Sequence, residues 1–257
     1  MVARLVPHRF EAATIWLIVA MLVGCSRADD PSSERSNAEA IAAAPLHAAS
    51  AASPVVVELY QSQSCSSCPS ANANLNAIAD RPDVLALSFA VTYWDKLGWK
   101  DSFARPEHTE RQWNYARAAG RENVETPQVI INGRHRTIIG NNRRELDETI
   151  KAAGPPSGGP TIRSDGHGVV LSAGKGGLAT VWLVGYDPKV REVAIRAGEN
   201  GGRTLPHRGI VHELVRLGDW RGAAVRFELP PAQLPDLNSA VLVQQGQGGP
   251  ITAARRI

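Results

Sequence analysis

Cys65 and Cys68 are the residues whose types and spacing specify chemistry most directly. A thiolate, not a thiol, attacks a disulfide, and unpaired N–H groups with partial positive charge at a helix start make a cysteine more acidic. Cys65 is therefore the predicted nucleophile. Cys68, on the same helical face, closes a disulfide or resolves a mixed one. The hydroxyls of Ser66 and Ser67 add hydrogen bonds to a thiolate, and Pro69 is tolerated in a first helical turn. Glu58 stands in an otherwise apolar strand before the cysteines and has two readings. A buried carboxyl has a raised pKa and can serve as acid/base for the pair; alternatively, it is a strand-end glutamate paired with an arginine.

The elements that must position these groups are legible around them. Val55 to Tyr60 is a short run of β-branched and apolar residues, the pattern of a buried strand, and it leads into the cysteines. Residues 71–79 carry helical spacing at Leu75, Ile78 and Ala79, ended by Pro82, and Val84 to Val91 is a second buried strand. This βαβ unit predicts an α/β domain over residues 54–153, with the cysteines at the strand's carboxyl end. An insertion rich in aromatics (Tyr93, Trp94, Trp99, Phe103, Trp113, Tyr115) and a helix over 107–119 follow. They read as the packed core of a helical subdomain or as a peptide-binding wall. Thr126-Pro127 then introduces an apolar strand that turns at Asn132-Gly133.

The CxxC after a first strand, followed by TPQVIING, resembles a thioredoxin or glutaredoxin fold. That resemblance implies a cis peptide bond at Thr126-Pro127, lying against the cysteines. It also implies that Thr126 offers backbone hydrogen bonds to a thiol-bearing substrate and that Glu58 sits near the buried carboxylate that serves the resolving cysteine. An edge strand at Ile138 and a closing helix over 143–153, capped by Asn141 or Asn142, would complete such a domain. From Val55 onward, the strings VELYQSQSCSSCPSA, YWDKLGWKDSFARPEHTERQ, TPQVIINGR and GENGGRTLPHRGIVHELVRLGDW resemble the secreted, thioredoxin-like family catalogued as domain of unknown function 1223. Two departures matter. Ser64 precedes Cys65 where thioredoxins have Trp, and Ala90 to Tyr93 lacks the His and Asp that family members tend to show before YWD.

The stretch 154–160, rich in glycine and proline, marks a boundary. Beyond it, over 158–257, alternating stretches at 168–173, 179–186, 192–196, 210–217, 223–229 and 240–245 predict a small all-β, sandwich-like domain with a docking or scaffolding role. The glycine-rich loop Gly198 to Arg203 lacks the strand–helix setting of a phosphate site, and His207 and His212 read as surface or cross-strand residues.

Residues 1–25 read as an export segment: Arg4 and Arg9 precede an apolar run too short to span a bilayer comfortably, closing on Leu22-Val23-Gly24-Cys25, which looks like a lipobox. Cys25 is then a lipid attachment site. A plain secretory signal cut further on is the alternative. With Ser26 after the cysteine, an outer-membrane anchor on the periplasmic side is expected, and residues 26–53, poor in large apolar side chains, form a flexible tether. The 257 residues carry a net charge of only +3 without a basic cluster, which argues against nucleic acid as partner. No cofactor is expected; the partner class is a protein or small thiol, and membrane contact is through Cys25 alone. Three functions compete: a thiol–disulfide oxidoreductase outside the cytoplasm, a non-catalytic envelope binding protein with a structural disulfide, and a copper- or zinc-binding module using Cys65, Cys68 and His108 or His135. The last lacks a second CxxC or a close histidine pair.

Overall fold

The computed structural model describes residues 52–231 and 234–257. Cys25, the export segment and most of the tether lie outside the described residues. In chain order the elements are β1 (Val55–Gln61), α1 (Cys68–Ile78), β2 (Val84–Ala90), α2 (Pro106–Ala118), β3 (Gln128–Ile131), β4 (Thr137–Ile138) and α3 (Arg143–Ala153). There follow β5 (Ile162–Ser164), β6 (Gly168–Leu171), β7 (Ala179–Asp187), β8 (Arg191–Ala194), β9 (Thr204–His207), β10 (Ile210–Trp220), β11 (Val225–Glu228), β12 (Asn238–Gln245) and β13 (Ile251–Arg256).

Eight strands form one mixed sheet in the order β13-β12-β7-β10-β2-β1-β3-β4. β1 runs parallel to β2 and antiparallel to β3, and every one of its residues is buried. Alternation along it explains this. Val55, Val57 and Leu59 face α1 and α3, meeting Leu75, Ile78, Leu146 and Ile150, whereas Val56 and Tyr60 face Phe89, Tyr115, Val184, Val211, Leu242 and Ile251. α3 begins where Asn142 accepts a hydrogen bond from the Glu145 N–H at 3.2 Å. β7 and β12 alternate likewise: Val181, Val241 and Val243 pack on Val169, Leu171 and Trp220 beneath the small sheet β11-β6-β5. The sheet curls. β13, remote from β1 in strand order, packs against it, and the Ile251 N–H donates to Asn132 O at 2.9 Å.

The expected α/β architecture, a thioredoxin-like domain followed by a separate sandwich-like all-β one, is corrected by this arrangement. The described chain is mostly β, with three α-helices among the described residues, and β7, β10, β12 and β13 extend the same sheet that holds β1 and β2. The physical reason lies in the second face of those strands. Val184, Tyr186, Ala240 and Leu242 point to the core shared with Tyr60 and Phe89, so the strands are apolar on both sides, unlike a half-exposed sandwich strand. An open edge of β2 would also leave unpaired N–H and C=O groups. β10 covers it through the pair Ile210 and Ser88, with the Ser88 N–H on Gly209 O at 2.7 Å. Gly209 has φ +65°, and a Cβ there would lie 2.6 Å from Ala86 O, so this junction requires glycine.

A buried ion pair locks the curl. Arg111 of α2 donates from Nε to Glu58 Oε1 at 2.8 Å and from Nη1 to Gln244 Oε1 of β12 at 3.0 Å. Tyr115 donates to Glu58 Oε2 at 2.5 Å and accepts from Arg111 Nη2 and Gln244 Nε2. Removing one partner of such a pair leaves an uncompensated buried charge. Glu58→Ala is therefore expected to lose about 3–5 kcal/mol in urea unfolding, and the double variant Glu58→Leu, Arg111→Met to recover most of it. A Glu58→Ala protein as stable as its parent would contradict this account.

Candidate redox site

β1 delivers the chain at Gln61 to a tight turn in which the Cys65 N–H donates to Ser62 O at 3.2 Å and the Cys68 N–H to Cys65 O at 3.1 Å. α1 starts at Cys68 with Pro69 in its first turn. Both cysteines are free thiols, and both are buried, whereas Ser66 and Ser67 between them are exposed. Cys65 Sγ lies 3.2 Å from Ser67 Oγ and donates to the carbonyl of Thr126 at 3.7 Å. The Thr126-Pro127 peptide bond is cis. Thus Cys65, Cys68, Thr126 and Pro127 are brought together.

The two thiols differ in acidity. The Cys68 thiol, hydrogen-bonded to Cys65, together with Ser67 and Thr126, draws Cys65 down to about 6 against the opposing effect of burial. Burial, and then the neighbouring Cys65, pushes Cys68 far up, so it stays protonated at neutral pH. One sulfur is therefore ionised at neutral pH, and its neighbour keeps its proton.

Glu58 is not brought to this pair. It faces the same side of β1 as Val56 and Tyr60, toward Arg111 and Tyr115, while α1 packs on the opposite face. Of its two sequence readings, the pairing with an arginine is the arrangement seen. His108 is buried with Nδ1 3.0 Å from Ala90 O, and His135 is exposed in the turn after β3. No group of three His, Cys, Asp or Glu side chains able to hold a metal is assembled among the described residues.

Other contributors come from further along the chain, some from the aromatic insertion and some with no local sequence signal. Trp94 Nε1 donates to Thr126 Oγ1 at 2.6 Å, and Trp99 Nε1 to Gln63 Oε1 at 2.7 Å, so the aromatic insertion buttresses both sides of the cysteine turn. Asp101 accepts from the Gln63 N–H at 2.8 Å. Asn200, from the glycine-rich loop, is fully buried and donates to Gln63 O at 2.9 Å and Cys65 O at 2.8 Å. Glu199 beside it accepts from the Ser66 N–H at 2.8 Å and the Ser66 hydroxyl at 2.7 Å. Glycines around a polar pair were the only sequence signal, and they mark a turn without naming its partner.

The family model described as "Protein of unknown function (DUF1223)" matches residues 56–244. An X-ray structure of an Agrobacterium tumefaciens protein is similar at 32% identity and a TM-score of 0.66, covering 79% of this chain and 93% of that one. HBP35 of Porphyromonas gingivalis is similar in fold alone, at 11% identity and a TM-score of 0.51, covering 80% and 74%. No curated protein matches the chain.

Two measurements test the electrostatics. Iodoacetamide alkylation of Cys65 in the reduced protein is expected to show its rate midpoint near pH 6. Cys68→Ala should move that midpoint up toward the ordinary range of about 8.5, and Ser67→Ala should raise it less; an unchanged midpoint in both would contradict the assigned donors. Burial also pushes Asp101 up to about 6, against hydrogen bonds from Gln63 and Phe103 N–H groups. The folded state then holds a proton that the unfolded chain, with its carboxyl near about 3.9, has released. The Asp101 contribution is present below about pH 4 and is lost as pH rises through about 6. Unfolding free energy relative to Asp101→Asn should fall across that window, and a flat difference would show that burial does not control this carboxyl.

Proposed function

This chain belongs to the DUF1223 family of proteins of unknown function, and we propose that it is an extracytoplasmic thiol–disulfide oxidoreductase with thioredoxin-like chemistry at its CSSC motif. The observation that carries this reading is the asymmetry of two adjacent thiols: Cys65 lies against Ser67 and Thr126 and is lowered, while Cys68 is buried at the start of α1 and is raised. A pair kept only as a structural cross-link has no need of an acidic member. It would also close too short a loop to restrict the unfolded chain much.

In the reducing direction the Cys65 thiolate attacks one sulfur of a substrate disulfide. A new Cys65–substrate S–S bond forms, the substrate's own S–S bond breaks, and the departing thiolate takes a proton from solvent. Cys68 then passes its proton to solvent and attacks Cys65 Sγ; the Cys65–Cys68 bond forms, the Cys65–substrate bond breaks, and the second substrate thiolate leaves and takes a proton from solvent. The protein dithiol gives up two electrons and two protons, and the substrate gains them as two thiols. The same steps in reverse oxidise a substrate dithiol. Thr126 and Pro127 form the wall against which the substrate sulfur is aligned, and Trp94 fixes the Thr126 side chain. Ser66 and Ser67, both exposed, leave an open side from which a protein or small-thiol partner approaches.

The proposed location rests on the N-terminal sequence: the basic and apolar run ending at Cys25 supports export, lipidation of that thiol and an outer-membrane anchor facing the periplasm. No helix of the described residues is long and apolar enough to cross a membrane. Disulfides persist in that compartment, so exchange chemistry has substrates there.

The test is an equilibrium redox titration of the protein with Cys65–Cys68 oxidation followed by alkylation and mass spectrometry. A reversible two-electron transition between about −120 and −270 mV, abolished with exchange activity in Cys65→Ser, is expected. A disulfide that stays closed below about −300 mV would instead assign the pair a structural role.

A further inference from the structure

The loop over residues 198–203 lies between β8 and β9, more than a hundred residues from the cysteines in sequence, yet it is built against the CSSC turn. Gly198 has φ +75°, and a Cβ there would stand 2.8 Å from Ser64 Oγ, so only glycine lets the loop come this close. The hairpin beneath is held to α1, where Asn76 Nδ2 donates to Pro206 O at 3.1 Å. Asn200 takes the carbonyls of Gln63 and Cys65, and the Glu199 N–H donates to Ser64 O at 3.2 Å. Backbone contacts thus aim one carboxylate, that of Glu199, at the peptide N–H directly after Cys65.

We propose that Glu199 is a positioning residue that sets the redox balance of the CSSC pair, holding it toward the disulfide. This rests on the oxidoreductase reading above. Its carboxylate acts twice. It places a negative charge beside the residue that follows the nucleophile, and it takes up both Ser66 donors, N–H and O–H, leaving neither to a thiolate. Both effects disfavour negative charge on Cys65. A pair whose reduced form is less stabilised is a weaker oxidant. The other groups facing the cysteine turn do not cancel the charge: Arg203 is bonded through Nη1 to Asn200 Oδ1 at 2.6 Å, and no ion pair joins Glu199 to a basic side chain among the described residues. Asp101, on the other side of the turn, is an acid as well.

The experiment equilibrates the protein with glutathione: protein dithiol and glutathione disulfide give protein disulfide and two glutathione thiols, with two electrons and two protons conserved. Glu199→Gln keeps the shape and one acceptor oxygen but removes the charge. It is expected to lower the equilibrium constant for disulfide formation by about three- to tenfold, tenfold being about 30 mV, and to lower the pH midpoint of Cys65 alkylation. Glu199→Asp should return both toward the parent. A Glu199→Gln protein matching the parent in both readouts would overturn the proposal, as would a shift of the opposite sign. If the parent never reaches a reversible equilibrium with glutathione, the oxidoreductase reading fails by itself. The alkylation midpoints of parent and Glu199→Gln still decide whether the carboxylate acts on Cys65.

Discussion

An arginine with no exposed charge is tolerable only if each of its nitrogens has a partner, and Arg111 meets that condition with partners from three elements. Glu58 belongs to β1, Tyr115 to α2 itself and Gln244 to β12, and the guanidinium also lies over the rings of Phe89, Tyr115 and Trp182. Such a network adds little stability relative to an apolar core of equal volume, but it tolerates few alternative geometries. It therefore fixes where α2 sits across the concave face of the sheet. The consequence reaches the cysteines. Gln112, the next residue on α2, donates to Glu125 O and to Gln128 Oε1, both at 2.8 Å, and so holds the segment containing Thr126 and Pro127. Through that segment, the buried ion pair positions the wall against which Cys65 rests.

The site itself is assembled from three stretches that share no local signal. The turn after β1 supplies the sulfurs, the aromatic insertion supplies Trp94 and Trp99, and the loop before β9 supplies Glu199 and Asn200. Depth sets the two thiols apart in acidity. Cys65 lies among donors that favour its anion, while Cys68 lies deeper, where burial favours the neutral form. Sequence position alone, with one cysteine before the helix and one at its start, assigns the same order from the helix dipole. The structure assigns it chiefly from hydrogen bonding and burial.

What was legible in the sequence was local. The runs Val55 to Tyr60 and Val84 to Val91, the helix between them, the capping Asn142 and the turn at Asn132-Gly133 follow from periodicity and turn chemistry. The alternating stretches of the second half are strands as well, from β6 to β12. β5, β9 and β13 carry no such signal. β5 is three residues long, β9 contains Pro206, and β13 ends in two arginines, so none carries a clean apolar alternation. A separate sandwich is the expectation and one continuous sheet the finding, because alternation reveals that a strand has an inner face without revealing what lies against it. Trp182, Val184 and Tyr186 of β7 are the residues that decide it, since they pack on the core shared with β1 and β2. Glu58 was ambiguous for the same reason: its partner lies 53 residues away on a helix face that only the folded chain defines.

Joining both halves in one sheet has a chemical consequence. The groups that favour an anion on Cys65, namely Ser67, Cys68 and Thr126, all precede residue 127. The carboxylate that opposes it, Glu199, comes from beyond β8 and reaches Ser66 because β10, next after that hairpin, is anchored on β2 at Ser88. The hairpin β8–β9 is further pinned by Arg208, which follows β9 and donates to Pro188 O at 2.7 Å and pairs with Asp80 beyond α1. Detaching the second half would leave the CSSC turn its donors and strip it of the opposing charge. With Glu199 acting on Cys65 as proposed, the second half of the sheet tunes the motif, and a fragment ending near residue 153 would contain the motif without that carboxylate.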